Sequence, residues 1–392
     1  MSPEGAGPVP YWRLSGFYFF YFAALGAFLP YWALYLQSLG YGHVEIGLLI
    51  ALLPATKVIS PNVWGWLADR TDRSVLLIRL SSWLTAVSFA MFLGFSGYGV
   101  LVVISLLMGF FWNAPLPLFE AVTLAHLRAH PGRYSRVRLW GSIGFIASVT
   151  LLGWALDHWL LIDCLPQAIL ILFLIMAVVP LSLRECSVRG RGDGEGSFRK
   201  ILSNPQVIAF FAVFTLVQVA HGPYYTFFSV YLKDNGYSGS ETGLLWTLGV
   251  IAEILLFLVL DWLLRRFRLR QILMMAMLLG SLRWALIAWF VRDLGLLVFA
   301  QMLHAATFGV THVAAIQLVH KHFYGAHQGK GQALYSSLSY GAGGMVGSYL
   351  SGVGWDRYGP GMVFTAAAVI STLALVIVWG WVDKPVRPLG KA

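Results

Sequence analysis

The sequence predicts an all-α integral membrane protein, with twelve transmembrane helices in two pseudo-symmetric six-helix bundles. Three observations support this fold class. The chain of 392 residues is 58% hydrophobic and only 11% charged, whereas a soluble domain carries about 25% charged residues. Its apolar residues are gathered into stretches of about 20, the length that an α-helix needs to cross a bilayer. A sequence repeat relates the first half of the chain to the second.

Twelve stretches have the length and apolarity of transmembrane helices. Barrel strands would alternate apolar and polar residues over about ten positions, and these stretches do not, so helices are predicted. No cleaved signal peptide is expected, because residues 1–10 lack a basic region and a small-residue cleavage site. The predicted spans are residues 13–37, 43–68, 74–94, 98–127, 136–158, 163–183, 204–233, 240–264, 269–291, 294–319, 331–355 and 360–382.

The basic residues predict the orientation of the chain. If the N-terminus is cytoplasmic, the opposite loops carry only Lys233, Arg292 and Arg357 of the 27 Lys and Arg residues. Lys57 and Arg283 lie inside spans, and all the others lie in cytoplasmic loops or at the cytoplasmic ends of spans. Basic residues concentrate in cytoplasmic loops of membrane proteins, so both termini are expected in the cytoplasm. The net charge of +10 is then a topology signal, and no nucleic-acid partner is predicted.

A polar, Gly-rich stretch separates the first six spans from the last six. We predict an N-terminal six-helix bundle (residues 1–183), a cytoplasmic linker (residues 184–203) and a C-terminal six-helix bundle (residues 204–392). The pattern Tyr-Leu-x3-Gly-Tyr-x3-Glu-x-Gly-Leu-Leu of residues 35–49 recurs in residues 231–245, at a constant offset of 196. Self-similarity at a fixed offset indicates a duplicated unit.

The loop after the second predicted span carries a more specific motif. Residues 65–73 read Gly-Trp-Leu-Ala-Asp-Arg-Thr-Asp-Arg and resemble the signature G-x-L-A-D-R-x-G-R-K of the major facilitator superfamily. Asp72 replaces the second Gly, and Ser74 replaces the final basic residue. The resemblance implies the major facilitator fold, whose two halves rock about a central cavity. It also implies a conformational latch formed by Gly65, Asp69, Arg70 and Arg73.

Ionisable side chains inside the spans are candidates for function, because lipid does not solvate them. Structural ion pairs, Glu120 with Arg138 and Glu253 with Arg283, are the alternative interpretation, and core hydrogen bonding is the alternative for a lone His. Both halves contribute candidates. They are Lys57, Glu120, Arg138, His221, Glu253, Arg283, His304 and His312.

Two stretches resemble the fourth and fifth spans of lactose permease and its relatives. They are Phe-Trp-Asn-Ala-Pro-Leu-Pro-Leu-Phe-Glu-Ala at 111–121 and Tyr-Ser-Arg-Val-Arg-Leu-Trp-Gly-Ser at 134–142. The resemblance implies that Glu120 and Arg138 bind substrate. Lactose permease has a Lys three residues before the His of its tenth span and a proton-carrying Glu three residues after it. Gln301 and Thr307 stand at these positions around His304, so that proton mechanism does not transfer whole.

Several short stretches resemble the bacterial phenylpropionate permease group. They are Val-Arg-Leu-Trp-Gly-Ser at 137–142, Ala-His-x-x-Tyr-Tyr at 220–225, Gly-Val-x-Ala-Glu at 249–253, Arg-Trp at 283–284 and Leu-His at 303–304. A basic residue in the second span, here Lys57, also belongs to the group's pattern. The resemblance implies an aromatic carboxylate as substrate. Its predicted substrate-binding residues are Lys57, Glu120, Arg138, His221 and Arg283, and its predicted proton-coupling residues are Glu253 and His304.

The charges inside the spans agree with an anionic substrate. Lys57, Arg138 and Arg283 exceed Glu120 and Glu253 by one positive charge, which a carboxylate would neutralise, and Arg can bind a carboxylate through two hydrogen bonds. We therefore expect a secondary active transporter that performs proton-coupled symport by alternating access. Lys57 and Arg283 are expected to hold the carboxylate, Glu253 to carry the proton and His304 to relay it.

Other function classes remain open at this stage. A sugar or nucleoside permease would use Glu120 and Arg138 to bind hydroxyls, and a receptor derived from a transporter would show no flux. No H-E-x-x-H, G-x-S-x-G or P-loop motif is present, so no enzyme, cofactor or metal site is predicted. We expect a monomer in the bacterial cytoplasmic (inner) membrane, with a small-molecule substrate, protons and the lipid bilayer as partners.

Overall fold

The computed structural model describes residues 9–185, 198–325 and 327–383. Within these ranges the regular structure is helical and no strand occurs, so the all-α prediction is confirmed. Eleven helices are long and apolar enough to cross a membrane. They are α1 (Tyr11–Ser38), α2 (His43–Thr71), α3 (Ser74–Leu93), α4 (Tyr98–His126), α5 (Tyr134–His158), α6 (Ile162–Ser182), α7 (Pro205–Asp234), α8 (Gly239–Arg266), α9 (Leu269–Trp289), α10 (Leu294–His322) and α12 (Pro360–Trp381).

The remaining predicted span, residues 331–355, lies within a continuous helix of residues 327–358, numbered α11. Its many Gly, Ser and Tyr residues make it less apolar than the other helices. It runs as an α-helix over His327–Tyr335, as a π-helix over Ser336–Gly343 and again as an α-helix over Gly344–Tyr358. A short helix, Phe198–Leu202, precedes α7, and residues 186–197 of the predicted linker lie outside the described residues.

Helices α2, α4 and α10 also change geometry part-way along their length. Helix α2 is interrupted between Lys57 and Ser60, and α4 is interrupted between Trp112 and Pro115. Proline lacks a backbone donor, which favours such interruptions. Helix α10 contains a π-helical segment, Ala305–Val310. An ionisable or polar residue lies at each irregular turn: Lys57 in α2, Asn113 in α4 and His304 in α10.

The sequence repeat folds into the same turn twice. Gly40 and Gly236 both have a φ of +87°, in the left-handed region that Gly adopts at low cost. In each turn the N–H of the following tyrosine donates to the carbonyl oxygen five residues earlier, at 3.3 Å for Tyr41 and 3.1 Å for Tyr237. This is the Schellman arrangement that ends a helix. The repeated Gly-Tyr thus fixes the exit from α1 and from α7.

The repeated glutamate begins the next helix in both copies. Glu45 Oε2 accepts a hydrogen bond from the N–H of Gly42 at 3.0 Å. Glu241 Oε2 accepts the equivalent bond from Ser238 at 2.8 Å. A Glu at the third helical position commonly satisfies the backbone donor before the helix. The eight identities of the repeat therefore encode one helix–turn–helix corner used twice.

The described residues form two compact units. Unit 1 comprises residues 9–185, 222–247 and 344–357, and unit 2 comprises residues 198–221, 248–325, 327–343 and 358–383. Helices α7, α8 and α11 thus contribute residues to both units. The division into bundles at residues 1–183 and 204–392 stays a prediction.

The core of unit 1 is aromatic. Helix α1 packs along α5 and α6, and α3 packs between α4 and α6. The ring of Trp112 lies 4.8 Å from Phe173, and Trp32 lies 5.1 Å from Phe28 and 5.4 Å from Phe89. Edge-to-face and offset ring pairs of this kind add to the hydrophobic gain. These ring contacts fix the position of α1, which also carries polar residues.

One end of unit 1 joins α5 to α8. Asp157, near the end of α5, accepts hydrogen bonds from the N–H groups of Gly239 and Ser240, each at 2.7 Å, and from the Ser240 hydroxyl at 2.5 Å. A carboxylate at a helix N-terminus satisfies free donors and complements the helix dipole. The backbones also touch, since a Cβ on Gly243 would lie 2.7 Å from the Val149 carbonyl oxygen.

The same end joins α2 to α11. A Cβ on Gly47 would lie 3.0 Å from the Cα of Gly352, so the two helix backbones are in contact. His43 Nδ1 lies 2.6 Å from Asp356 Oδ1. We call these contacts and those of Asp157 the α2/α5 junction of unit 1.

The core of unit 2 is built on α9, which packs along α12. Buried residues of α7, α9, α10 and α12 form one apolar cluster, which includes Phe210, Leu273, Leu318 and Ala374, each fully buried. Polar residues of the unit lie beside this cluster on α9 and α10.

The repeated turn allows a test of the fold. Gly236→Ala is expected to lower the free energy of unfolding by about 1–2 kcal/mol, because a Cβ is strained in the left-handed region. Gly99→Ala is the matched control: a Cβ at Gly99, in the first turn of α4, meets no heavy atom within 4 Å. Denaturant titration of the purified protein in detergent, followed by circular dichroism, measures both. Equal stability of the two variants would contradict the assignment.

Candidate functional site

The predicted site residues lie in two clusters, one in each unit. The unit 1 cluster contains Lys57, Glu120 and Arg138, and the unit 2 cluster contains His221, Glu253, Arg283 and His304.

Arg138 of α5 lies over aromatic rings of α1. Its guanidinium carbon is 4.1 Å from the centre of the Phe22 ring and 5.5 Å from that of Tyr18. Its Nε lies 4.0 Å from Glu120 Oε1. Gly141, one turn further along α5, leaves room for this arrangement, since a Cβ there would lie 2.7 Å from an Arg138 Nη atom. The cation is thus stabilised by ring faces and by one carboxylate at the edge of ion-pair distance.

Glu120 is the anion of the unit 1 cluster. It interacts electrostatically with both Arg138 and Lys57, and Tyr134 lies beside it. The Tyr18 hydroxyl donates to Thr123 Oγ1, one turn along α4, at 3.4 Å. Phenol hydroxyls and charged groups thus meet on one surface of α1, α4 and α5, which suits hydrogen bonding to a polar ligand.

Asn113 holds the turn that carries Lys57. Its side-chain amide donates to the Leu53 carbonyl at 2.9 Å and to Thr56 Oγ1 at 3.0 Å. These bonds tie the interruption of α4 to the last turn before the interruption of α2. The prediction missed Asn113, although an amide in a strongly apolar span was a visible signal.

Arg283 of α9 is the centre of the unit 2 cluster. It is 0% exposed, its Nη1 donates to Thr307 Oγ1 at 3.0 Å, and its guanidinium lies 4.4 Å from the centre of the Trp284 ring. The Thr307 hydroxyl donates in turn to the His304 carbonyl oxygen at 3.2 Å. A fully buried guanidinium is therefore fixed by a hydroxyl of α10 and by its neighbouring indole.

Two histidines lie beside this arginine. His221 Nδ1 is 2.7 Å from the Val217 carbonyl oxygen, so Nδ1 carries a proton, because a carbonyl oxygen only accepts. The His221 ring meets the Trp284 ring edge to face at 4.9 Å and lies 6.4 Å from the His304 ring. His304 packs against Gly249, where a Cβ would lie 3.3 Å from its Cδ2. The cluster is rich in donors and has aromatic walls.

Glu253 of α8 lies against the π-helical segment of α10. A Cβ on Gly309 would be 3.1 Å from Glu253 Cγ, so Gly at this crossing lets the Glu253 side chain approach closely. Glu253 also interacts electrostatically with Tyr340 of α11. π-Helical turns inside α-helices are frequent at functional sites, and this one follows His304 directly and contains Thr307.

These clusters can be compared with known proteins. The profile of the MFS_1 like family matches residues 11–366. The chain belongs to this family. It is therefore a multi-pass membrane transporter rather than an enzyme, and the major facilitator fold predicted from the sequence is confirmed.

Relatives of this family member include transporters with different named substrates. It is 29% identical over 373 residues to a protein of Escherichia coli K12 named "Probable 3-phenylpropionic acid transporter", across 91% of this chain and 94% of that protein. It is 26% identical over 382 residues to the maltose permease of Geobacillus stearothermophilus, across 92% of each chain. The predicted resemblance to the phenylpropionate permease group is thus confirmed.

The fold is shared with a solved transporter structure. A mutant of the nucleoside transporter NupG superposes with a TM-score of 0.82, across 95% of this chain and 99% of that one, at 18% sequence identity. This likeness shows the fold alone.

The unit 2 cluster explains one departure from lactose permease. Thr307 stands where that family has its proton-carrying Glu, and the structure shows Thr307 as the hydrogen-bond acceptor for Arg283. Gln301, at the position of the Lys, is fully buried. The sequence marked both residues as differences but could not show the Arg283–Thr307 bond, which joins residues 24 apart.

Three of the four predicted latch residues, Gly65, Asp69 and Arg70, lie on the second segment of α2. Gly65 and Asp69 line a cavity of about 230 Å³ in unit 1, together with Pro117 and Leu118 of α4. Arg70 lies 5.4 Å from the centre of the Trp66 ring, and Arg73 is exposed at the start of α3. The latch role of Gly65, Asp69, Arg70 and Arg73 stays a prediction.

The Arg283–Thr307 bond can be tested directly. Thr307→Val is expected to lower the free energy of unfolding by about 1–3 kcal/mol, since a buried donor of Arg283 loses its acceptor. Thr307→Ser is the matched control, because it keeps the hydroxyl and loses one methyl group, worth about 0.8 kcal/mol. Thermal and denaturant unfolding in detergent measure both. A valine variant as stable as wild type would show that the bond is not needed.

Proposed function

We propose that this transporter performs proton-coupled symport of a small aromatic carboxylate of the 3-phenylpropionate kind by alternating access. The observation that carries the proposal is the setting of Arg283: fully buried in unit 2, next to an indole and two imidazoles. The relative named as a 3-phenylpropionic acid transporter supports the same substrate class.

Arg283 suits the recognition of a carboxylate. A guanidinium has five N–H donors in a planar fork, and Thr307 accepts from Nη1, which orients the group. Two parallel hydrogen bonds to a carboxylate are the strongest polar contact that a side chain offers to an anion. Trp284 and His221 give flat surfaces against which an aryl ring can pack. Lys57, Glu120 and Arg138 of unit 1 remain predicted substrate-binding residues.

Glu253 is the proposed proton carrier. Thr307 occupies the position of the proton-carrying Glu of lactose permease, and Glu253 lies one helix away, against the turn that contains Thr307. An anionic substrate beside an ionised carboxylate is unfavourable in a medium of low dielectric constant. Protonation of Glu253 removes this repulsion, so proton and substrate favour each other's binding, and the coupling is reciprocal. The sequence predicts His304 as the relay for this proton.

A neutral polar substrate is the second candidate. The Glu120–Arg138 pair and the hydroxyl of Tyr18 form a surface able to bind hydroxyl groups. The relatives named as a maltose permease and nucleoside permeases support this alternative. It would place the substrate on unit 1 residues rather than on Arg283.

We further propose that the transporter works as a monomer in the bacterial cytoplasmic membrane with both termini inside. The distribution of Lys and Arg supports this orientation, and the named relatives are bacterial proteins.

Uptake into proteoliposomes tests the substrate. Labelled 3-phenylpropionate is expected to accumulate when the outside is acidic and to leave again when an uncoupler is added. Unlabelled aryl carboxylates are expected to compete, whereas maltose and nucleosides are not. Competition by maltose or a nucleoside alone, in vesicles with folded protein, would replace this proposal by the second candidate.

Two variants separate binding from coupling. Arg283→Gln is expected to weaken 3-phenylpropionate binding by about 10- to 150-fold, the worth of a charged hydrogen bond of about 1.5–3 kcal/mol. Glu253→Gln is expected to keep exchange of labelled for unlabelled substrate but to lose uphill accumulation. Asp261→Asn, at the other end of α8, is the matched control and should behave as wild type. Undiminished uphill uptake by Glu253→Gln would remove Glu253 from the mechanism.

A further inference from the structure

Three aromatic side chains of α10 form a row in unit 2. The ring of Phe308 is parallel to His304 within 7° at 5.4 Å, and parallel to His312 within 9° at 6.4 Å. Residues four apart on an α-helix diverge by about 40° of rotation, since the helix has 3.6 residues per turn. The wider π-helical turn of Ala305–Val310 offsets that divergence. The π segment therefore aligns two imidazoles on one face, with a benzyl ring between them.

The second imidazole has a different set of neighbours from the first. His312 Nδ1 lies 3.0 Å from the Tyr340 hydroxyl, and that hydroxyl lies 3.5 Å from the Tyr335 hydroxyl. Tyr340 belongs to the π-helical segment of α11, Ser336–Gly343. Thus one hydrogen bond joins the α-helical turn that directly follows the π segment of α10 to the π segment of α11. Both residues are only partly buried.

Glu253 lies between the two imidazoles along α10. Its Cγ and carboxyl carbon face Gly309, at 3.1 and 3.7 Å from a Cβ built there, and Gly309 is one turn before His312. Glu253 also interacts electrostatically with Tyr340. The carboxyl group that the proposed function uses therefore faces the turn before His312 and interacts electrostatically with Tyr340.

We propose that His312 and Tyr340 carry the proton between Glu253 and the end of unit 2 at which α10 ends and α11 begins. The inference rests on the proposed function, because it names the path of the proton that Glu253 carries. The O–H bond of the Glu253 carboxyl breaks as Tyr340 Oη gains that proton, and the proton of Tyr340 passes to His312 Nδ1. The imidazolium then releases its Nε2 proton to water. One proton moves, and no electron is transferred.

The path leads to His312 rather than to His304 for an electrostatic reason. His304 lies in the Arg283 cluster, where a second cation next to a buried guanidinium is unfavourable. Phe308 separates His312 from that cluster. The titratable or charged groups around this stretch of α10 and the pair belong to α7, α8, α9, α10 and α11. They are His221, Glu253, Arg283, His304 and Tyr335.

The first test needs no substrate. Infrared difference titration of the purified full-length protein follows the carbonyl band of protonated Glu253, identified by its loss in Glu253→Gln. Groups that share a proton titrate as a coupled set, so His312→Gln and Tyr340→Phe are each expected to shift the midpoint of that band. His320→Gln, two turns further along α10, is the matched control and should leave it unchanged. An unshifted midpoint in both test variants would overturn the inference.

The second test measures transport in proteoliposomes. His312→Gln and Tyr340→Phe are expected to slow gradient-driven uptake of 3-phenylpropionate about ten-fold or more, since a positioned proton-transfer group contributes at least that much. Exchange of labelled for unlabelled substrate, which needs no net proton movement, should stay within about two-fold of wild type. Tyr340→Phe keeps the ring and so preserves packing.

The two tests distinguish this inference from the proposed function. A wild-type protein that fails to exchange 3-phenylpropionate contradicts the substrate, while the infrared titration still decides the proton path. Exchange that is normal in wild type, with undiminished proton-driven uptake in both variants, overturns the proton path and leaves the substrate proposal standing. Slowed uptake with normal exchange supports both.

Discussion

Charged side chains inside an apolar helical protein have to be solvated by the protein itself, and this constraint organises both clusters. Water and lipid headgroups stabilise ions at the membrane surface, but the hydrocarbon region offers neither. Arg283, 0% exposed, meets the constraint with a hydroxyl acceptor and an indole face. Arg138 meets it with two aromatic rings and one carboxylate. A group solvated in this way is held in one orientation, which is what selective binding requires.

Glycine on a neighbouring helix turn makes this solvation sterically feasible. Gly249 receives the His304 ring, and Gly309 receives the Glu253 side chain. Gly141 performs the same role for Arg138 within one helix. An alanine at any of these positions would crowd the polar group that it faces. Each of these ionisable residues therefore forms a pair with the glycine that it contacts. The sequence does not indicate the pairs, because the two residues are far apart or follow no distinctive pattern.

The sequence predicted the helices far better than the contacts. Apolar length alone located each span within a few residues, because in lipid an isolated helix must satisfy its own backbone groups. The repeat was also informative, since Gly40 and Gly236 adopt the same left-handed turn. Asp72, which replaces the motif's second Gly, has a φ of 55°, a conformation that Asp tolerates better than most residues. Asp72 thus adopts at this position the left-handed conformation that Gly adopts at low cost.

The partners of the buried charges could not be derived in the same way. The Arg283–Thr307 bond and the Glu253–Gly309 contact depend on how α8, α9 and α10 cross. Hydropathy carries no information about that crossing. The π segments were likewise invisible, because the residues of Ala305–Val310 and Ser336–Gly343 are compatible with an ordinary α-helix. The polar residues could be selected from the sequence, whereas their pairing is a tertiary property.

The α2/α5 junction of unit 1 is held by backbone contacts and by polar bonds. At Gly47 with Gly352 and at Gly243 with α5, backbone meets backbone. Asp157 adds the three hydrogen bonds that it accepts from the first turn of α8. These bonds are exposed, so they contribute little net free energy, because water competes for both partners. They can break and form again while the aromatic core around α1 stays intact. The junction can therefore change its contacts at a lower cost in free energy than that core.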